Sequence, residues 1–229
     1  MSALFQDRRE AGRLLAAAIR HQVDLGPQFP PHAVVLALPR GGVPVAFEVA
    51  QALHLPLDVF VVRKLGVPAE EELAMGAIAS GGLIVVQPDV LRAFAISPDA
   101  LDAVAARERL EIERREALYR AGRLPLPLEG RTAILVDDGV ATGSTMKAAV
   151  RALRSLGDHA AHAHSAPARI IVAVPVAAPS TCAELAREAD QVVCLATPEP
   201  FHAVGAFYRS FDQTTEDEVR AILAQATNP

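Results

Sequence analysis

The sequence contains few cysteines and few aromatic residues. It has no tryptophan, two tyrosines, eight phenylalanines and two cysteines among 229 residues. Cys182 and Cys194 do not have the spacing of metal ligands, so a cysteine-built metal site is not predicted. With 51% hydrophobic residues the chain can build a full core without disulfides, which fits a reduced, cytoplasmic compartment.

The chain also lacks an excess of positive charge and any long apolar run. Its formal net charge is −5 at pH 7, so we expect no nucleic acid as its main partner. No apolar run reaches the roughly 18 residues that a membrane helix needs, so we expect no membrane span. The first ten residues include acidic ones and no apolar stretch, so we expect no signal peptide.

The most informative stretch runs from Arg131 to Leu156. An apolar, partly β-branched run over 133–136 predicts a buried strand. Asp137 and Asp138 follow at its carboxyl end, and a turn of small residues comes next. Apolar residues at helical spacing over 145–156 then predict a helix.

This order of elements suits a phosphorylated sugar. The first N–H groups of a helix have no internal partner and the helix dipole is positive there, so the turn can receive a phosphate. Gly143 permits close approach, and Thr142, Ser144 and Thr145 add hydroxyl donors. The two carboxylates suit a sugar diol. The alternative is an ordinary capped helix after a solvated acidic turn; the two adjacent aspartates favour the ligand.

A second strand and glycine turn lie earlier in the chain. The run 33–38 predicts a strand, Arg40 stands between Pro39 and the pair Gly41-Gly42, and 43–53 predicts a helix. An arginine fork beside glycine N–H groups can bind an anion. The alternative is a turn whose glycines serve chain reversal only.

A predicted strand over 57–62 leads into Arg63 and Lys64, which we place at the carboxyl end of a parallel strand, where ligands bind. Lys64 is the stronger candidate, and a solvated strand end is the alternative. The range 65–73 is predicted to be a loop, and short strands over 74–79 and 83–86 to form a hairpin. Glu70, Glu71 and Glu72 could supply a proton acceptor, but a solvated acidic loop is favoured.

Two helical stretches and a histidine-rich loop occupy much of the rest. The range 88–122 is predicted to be helical, with Ser97 as an N-cap. Its arginines, including Arg120, are predicted to form a solvated face, with the alternative that one of Arg114, Arg115 or Arg120 reaches an anion. The loop 157–168, with its three histidines, is read as an exposed insertion rather than a metal site.

Several aromatic residues follow the last predicted strand. Strands are predicted over 170–174 and 191–195, and helices over 179–188 and 215–226. Between the last strand and the last helix, Phe201, Phe207 and Tyr208 predict either a small satellite core or a stacking cover for a planar ligand, and both remain open.

The stretch Leu135-Val-Asp-Asp-Gly-Val-Ala-Thr-Gly-Ser-Thr145 resembles the PRPP-binding motif of the type I phosphoribosyltransferases, and its Ala141 is similar to the adenine-type version. Gly139 departs from the usual apolar residue, which we expect to loosen the turn. The resemblance implies that the turn 39–42 is the pyrophosphate loop, which often has an unusual peptide geometry. It also implies that the basic pair meets pyrophosphate, that a mobile catalytic loop lies near 65–73, and that 197–212 is the acceptor-holding hood.

These observations together predict an α/β fold with a doubly wound, mostly parallel sheet, formed by a single domain over 1–229 with a helical insertion at about 88–124. The predicted function is transfer of the phosphoribosyl group of PRPP to a small-molecule nitrogenous acceptor; the alternative is a PRPP- or nucleotide-sensing regulator on the same fold. Mg²⁺ is expected as cofactor, held mainly through PRPP near the aspartates rather than by protein ligands. The resemblance also allows a homodimer.

The candidate residues fall into three sets. The proposed catalytic residues are Arg40, Lys64, Asp137 and Asp138. The proposed PRPP-binding residues are Arg40, Gly41, Gly42, Arg63, Lys64, Asp137, Asp138, Gly139, Val140, Ala141, Thr142, Gly143, Ser144 and Thr145. The proposed acceptor-binding residues are Phe201, Phe207 and Tyr208.

Overall fold

A computed structural model describes residues 3–23, 32–68, 70–156 and 166–226. The strands are β1 (Ala33–Ala37), β2 (Leu57–Val59), β3 (Val62–Val67), β4 (Glu70–Ala79), β5 (Leu83–Val86), β6 (Thr132–Val136), β7 (Arg169–Val176) and β8 (Gln191–Ala196). The helices are α1 (Arg8–Gln22), α2 (Gly42–Leu53), α3 (Pro88–Ala93), α4 (Pro98–Arg120), α5 (Ser144–Ser155), α6 (Pro179–Leu185) and α7 (Glu216–Gln225).

The main sheet has five strands, all parallel, in the order β2-β1-β6-β7-β8. Strand β1 is apolar and buried along its whole length, and β6 is so after Thr132, because helices cover both faces of the sheet. The strand order reverses between β1 and β6, and in such sheets ligands bind at the carboxyl ends of the strands at that reversal. The predicted mostly parallel, doubly wound sheet is confirmed.

The two faces of the sheet are covered by different elements. Helices α1, α2 and α7 pack on one face, in a core that includes Leu15, Val49 and Leu223. Helices α5 and α6 cover the other face with a core that includes Met146 and Leu185. None of the helices in the described ranges is long and apolar enough to cross a membrane.

Helix starts follow local capping chemistry. The Asp7 carboxylate accepts the Glu10 N–H at the start of α1, and Ser97 caps α4 as predicted. Thr215 and Glu218 form a capping box at the start of α7. These local signals explain why the predicted helix starts agree closely with the structure.

The prediction for the basic pair was wrong in its secondary structure. After Val59 the chain leaves the main sheet, and Arg63 and Lys64 lie inside β3, which pairs antiparallel with β4 in a separate sheet of order β3-β4-β5. The switch occurs at Val61, whose N–H and carbonyl both bond Ser80. Apart from Asp58, the stretch 57–62 is apolar, and this change of partner divides it between two strands.

The predicted loop 65–73 was also wrong, since β3 extends to Val67 and the residues 70–72 begin β4. The predicted hairpin between β4 and β5 is confirmed, and Gly81 and Gly82 take positive φ at its turn. Strand β7 continues through Pro175 to Val176, whereas the sequence predicted its end at Val174. Because the ladder with β6 ends at Ala173, the missing N–H of Pro175 breaks no pairing there.

The arginines of α4 were predicted to be solvent-exposed, and for Arg120 this prediction was wrong. Arg120 is buried, with 9% of its surface exposed, and its Nε lies 3.0 Å from Asp58 Oδ1. Leu110, although apolar, is 69% exposed. Helix α4 therefore docks on the domain through its carboxyl-terminal turn as well as through Val104 and Ile112.

Candidate functional site

The carboxyl ends of β1 and β6 bring the two predicted anion-binding loops into direct contact. The first loop, 39–42, follows β1, and the second loop, 137–145, follows β6. The Leu38 N–H donates to the Val136 carbonyl over 2.9 Å, which ties the first loop to the end of β6. A Cβ on Gly41 would stand 2.0 Å from Asp138 Oδ2, and one on Gly42 would stand 2.6 Å from the Val136 carbonyl oxygen. Only glycine at both positions lets the loops approach this closely.

The first loop carries an unusual peptide, as the family resemblance implied, because the Pro39–Arg40 bond is cis. Arg40 is half-buried and lines a cavity of about 430 Å³ together with Arg8, Gly41 and Asp138. A guanidinium, glycine backbone and a carboxylate thus share one opening at the reversal point of the sheet.

The two carboxylates of the acidic pair are adjacent and partly buried. The Asp137 Oδ1 accepts the Asp138 N–H over 2.8 Å. Burial raises the pKa of Asp137 well above its usual range, and the neighbouring Asp138 carboxylate raises it further. Burial also raises the pKa of Asp138, while the Arg8 guanidinium acts in the opposite direction. Two acceptors held in this way suit a ligand that brings hydroxyl donors.

The second loop presents hydroxyls and free helix N–H groups to solvent. Helix α5 begins at Ser144, directly after Gly143, which takes a φ of 76°. Thr142 Oγ1 and Ser144 Oγ lie 3.2 Å apart, and the side chains of Thr142, Ser144 and Thr145 are all exposed. Since α5 has 12 residues, its dipole and first-turn N–H groups favour an anion here.

Helix α6 braces this second loop from behind. Thr181 Oγ1 donates to the Ala141 carbonyl over 2.6 Å, and a Cβ on Gly143 would stand 2.6 Å from Thr181 Cγ2. The Val140 N–H donates to the Val176 carbonyl over 2.9 Å, and the Ala178 N–H to the Val140 carbonyl over 3.1 Å. The loop is therefore anchored through its backbone while its hydroxyls remain accessible.

Gly139 has a packing role that the sequence did not predict. A Cβ at this position would lie 2.5 Å from Val204 Cγ1 and 2.9 Å from Val176 Cγ1. The side chain of Val204, which belongs to the segment after β8, fills the space that a side chain at 139 would occupy. The sequence could not reveal this exchange because the two residues are far apart in the chain.

The two members of the basic pair point in opposite directions, since side chains alternate along a strand. Lys64 lines a cavity of about 500 Å³ that also includes Ser144 and Thr145, and its Nζ lies 3.3 Å from Glu72 Oε2. Arg63 instead forms an ion pair of 2.8 Å with Glu108 on α4. The structure thus brings Lys64, and not Arg63, beside the second loop.

The rings after β8 form the satellite core, one of the two predicted alternatives. The ring centroids of Phe201 and Phe207 lie 5.0 Å apart, and those of Phe5 and Tyr208 lie 5.3 Å apart. Phe207 and Tyr208 are buried in this cluster, and Phe201 packs against it. Because other rings occupy their faces, Phe207 and Tyr208 do not offer a stacking surface to a ligand.

Tyr208 has a different connection to the site that the sequence did not indicate. Its hydroxyl donates to the Asp138 carbonyl over 2.5 Å. Burial raises the pKa of Tyr208, so the hydroxyl stays protonated and able to donate. The satellite core therefore supports the backbone of the acidic pair.

Arg8 is a second residue that sequence reasoning missed. Its Nε lies 2.8 Å from Asp138 Oδ2, although it stands 130 positions earlier in the chain. The one signal in the sequence is its place in the first turn of α1, where the helix dipole disfavours a cation unless something else compensates.

The other candidate cations and ligands are engaged elsewhere or fall outside the described residues. Arg114 pairs with Glu111 and Glu216, and Arg115 pairs with Glu111. Among the described residues no group of three or more histidine, cysteine, aspartate or glutamate side chains is arranged to hold a metal ion. The histidines of 157–165 lie outside the part of the chain that the structure describes.

Comparison with known proteins identifies relatives along most of the chain. The family model of the phosphoribosyl transferase domain matches residues 6–205. Two Mycobacterium tuberculosis proteins, from strains CDC 1551 and H37Rv and provisionally named as phosphoribosyl transferases, are each 48% identical over 97% of this chain. The alignment covers 47% of their length, so the chain spans about half of these relatives. The crystal structure of TT1426 from Thermus thermophilus is 42% identical, with a TM-score of 0.79 over 98% of this chain and 99% of that one.

Proposed function

The chain belongs to the phosphoribosyl transferase domain family, and we propose that it transfers the 5-phosphoribosyl group of PRPP to a nitrogenous acceptor and releases pyrophosphate. The observation that carries this proposal is the contact between the two anion loops at the reversal point of the sheet, with the acidic pair between them. That arrangement offers two anion sites and a diol site to one ligand, which is the pattern of charges and hydroxyls in PRPP.

Each part of the ligand has a proposed partner. The 5-phosphate binds the start of α5, where Thr142, Ser144 and Thr145 are exposed. Asp137 and Asp138 accept hydrogen bonds from the ribose hydroxyls. The pyrophosphate lies at the first loop, against the Gly41 and Gly42 backbone, in the cavity that Arg40 shares with Asp138.

Catalysis in this proposal is positioning and charge stabilisation. A ring nitrogen of the acceptor attacks ribose C1 while the bond to pyrophosphate breaks, and the departing oxygen gains negative charge. Arg40 stabilises that charge from the first loop. Lys64 adds positive charge from the cavity that it shares with Ser144 and Thr145.

The residues present fit a magnesium ion that PRPP carries. Mg²⁺ prefers oxygen ligands and usually binds through one or two carboxylates together with substrate phosphates and water. Asp137 and Asp138 are the carboxylates beside the proposed diol site, and they supply oxygens of the required kind. When bound, the ion would neutralise pyrophosphate charge, and the chain's own contribution would be to hold the ribose hydroxyls that face it.

The proposal is tested by adding PRPP and Mg²⁺ to the purified chain. We expect a rise in melting temperature with PRPP and Mg²⁺ together, since a ligand that binds only the folded state stabilises it. Pyrophosphate release should then require one member of a panel of nucleobases. The proposal is rejected if PRPP with Mg²⁺ does not stabilise the chain and no base leads to pyrophosphate release. Stabilisation without turnover would instead favour the regulator.

Replacing Arg40 by alanine should weaken PRPP binding by about tenfold or more while changing nucleoside monophosphate affinity little. The reason is that Arg40 lines the first loop, which only the pyrophosphate of PRPP reaches in this proposal. Calorimetry with both ligands measures the difference, and Arg131→Ala provides a control on a residue outside both loops. Equal losses for the two ligands would assign Arg40 another role.

The acceptor class follows from Ala141, which cannot take a proton. A 6-oxopurine must lose a ring proton as the new bond forms, and a positioned base contributes typically ~10²–10⁴-fold to such a step. We therefore expect hypoxanthine and guanine to be poor acceptors relative to adenine or non-purine bases, and Ala141→Asp to narrow that gap. Steady-state kinetics with a base panel tests this. Efficient use of hypoxanthine or guanine by a chain lacking the carboxylates of Glu70, Glu71 and Glu72 would contradict it.

A further inference from the structure

Arg8 makes three contacts: with the side chain of Asp138, with the backbone of Asp212 and with the ring of Phe211. Its Nε lies 2.8 Å from Asp138 Oδ2. Its Nη1 donates to the Asp212 carbonyl over 2.7 Å, and its guanidinium carbon lies 3.9 Å from the centroid of the Phe211 ring. A side chain fixed on three sides has a single orientation, so the oxygen that it contacts is fixed as well.

The contact is built into the region where the two ends of the chain meet. We call residues 4–8 and 207–212 the terminal strap. Phe5 and Tyr208 form a parallel bridge, and the N–H groups of Arg209 and Ser210 donate to the carbonyls of Phe5 and Gln6 over 2.9 Å each. The strap thus reaches both the side chain of Asp138, through Arg8, and its backbone carbonyl, through Tyr208.

Arg8 contributes a positive charge beside Asp138 in addition to its packing contacts. Asp137 is adjacent, and burial raises its pKa and that of Tyr208 above their usual ranges. Arg40 lines the same cavity from the first loop. Arg8 is the cation that bonds the Asp138 carboxylate directly, and both side chains are largely shielded, at 12% and 13% exposure. An ion pair with so little solvent is screened less than a surface pair.

We propose that Arg8 is a positioning residue for the transfer reaction, which fixes the orientation of the Asp138 carboxylate so that its free lone pairs accept a ribose hydroxyl. This inference rests on the proposed function, because the ribose is the ligand that Asp138 would receive. Arg8 acts through Asp138 and is not itself assigned a substrate contact.

The effect of removing Arg8 follows from the geometry. Without the guanidinium, Asp138 Oδ2 loses its 2.8 Å partner, and the carboxylate can turn away from the proposed ribose site. PRPP binding should then weaken. Inorganic phosphate should bind as before, because in the proposed function it meets the start of α5 and not Asp138.

The experiment compares Arg8→Gln, Arg8→Lys and the neighbouring control Arg9→Gln, whose arginine pairs with Glu48 and is 50% exposed. Affinities for PRPP with Mg²⁺ and for inorganic phosphate are measured by calorimetry. We expect Arg8→Gln to weaken PRPP binding by about tenfold or more and to leave phosphate binding unchanged. We also expect Arg8→Lys, which keeps a cation at this position, to restore part of the PRPP affinity.

Two results would overturn the inference. One is a PRPP affinity in Arg8→Gln that equals that of the wild type. The other is an equal loss of affinity for PRPP and for phosphate that Arg8→Lys does not relieve, which would indicate a structural role for the strap. If the wild type does not bind PRPP, the proposed function and this inference both fail, whereas a wild type and an Arg8→Gln variant that bind PRPP equally well overturn this inference alone.

Discussion

Replacing Arg120 by alanine is expected to lower the free energy of unfolding by about 3–5 kcal/mol, because it removes one partner of a buried ion pair. The two side chains of this pair are only 11% and 10% exposed, and Arg120 Nε lies 3.0 Å from Asp58 Oδ1. Arg120 also donates to the Val59 carbonyl over 3.1 Å. Without the guanidinium, the carboxylate of Asp58, a residue of β2, stays buried with no opposite charge bonded to it.

The measurement is urea unfolding of Arg120→Ala beside Arg107→Ala, which removes an arginine from the same helix. Arg107 is 62% exposed and pairs with Glu108, so its loss should cost less than about 1 kcal/mol. A double variant, Arg120→Ala with Asp58→Ala, should recover part of the loss because it also removes the stranded charge. A similar small loss for Arg120 and Arg107 would mean that the pair does not fasten α4 to β2.

Replacing Asp137 and Asp138 together by asparagine is expected to weaken PRPP binding by about 1–3 kcal/mol for each charged hydrogen bond lost. Asparagine keeps the size of each side chain but offers one acceptor oxygen where the carboxylate offers two. Inorganic phosphate should still bind the start of α5, because its hydroxyls and N–H groups are untouched. Calorimetry with PRPP and with phosphate separates these two effects.

The matched control is Asp217→Asn, in the first turn of α7, whose side chain is 90% exposed. The single variant Asp137→Asn should also not destabilise the fold at neutral pH. The pKa of Asp137 is higher in the folded state than in the unfolded state. The free energy of unfolding therefore falls as the pH rises above the unfolded-state pKa, and asparagine, which does not ionise, avoids that loss. PRPP affinity that survives the double substitution would show that the acidic pair does not hold the ribose.

Local patterns in the sequence predicted much of the architecture because they depend on nearby residues. The caps at Asp7, Ser97 and Thr215 are local hydrogen bonds, and the helices begin beside them. The apolar strands of the main sheet are readable because both their faces are buried. The glycine turns after β1 and β6 were also identified from sequence, since close approach of the backbone requires glycine.

The features that sequence reasoning missed depend on contacts between distant parts of the chain. Arg8 meets Asp138 across 130 positions, and Val204 fills the space beside Gly139. Lys64 and Arg63 were placed on the wrong kind of strand because the pairing partner changes at Val61, where Ser80 takes over both backbone bonds.

The sequence by itself determined the type and order of most elements and the two loops that can receive anions, because capping, periodicity and glycine turns are set within a few residues. The tertiary structure alone decided which charges are neutralised and which remain available. Arg120 and Arg63 are drawn into ion pairs, the rings after β8 into a core, and Arg8 onto the acidic pair. The physical reason is that burial and ion pairing depend on which side chains meet in space, and in this chain the paired residues are 45, 62 and 130 positions apart in the sequence.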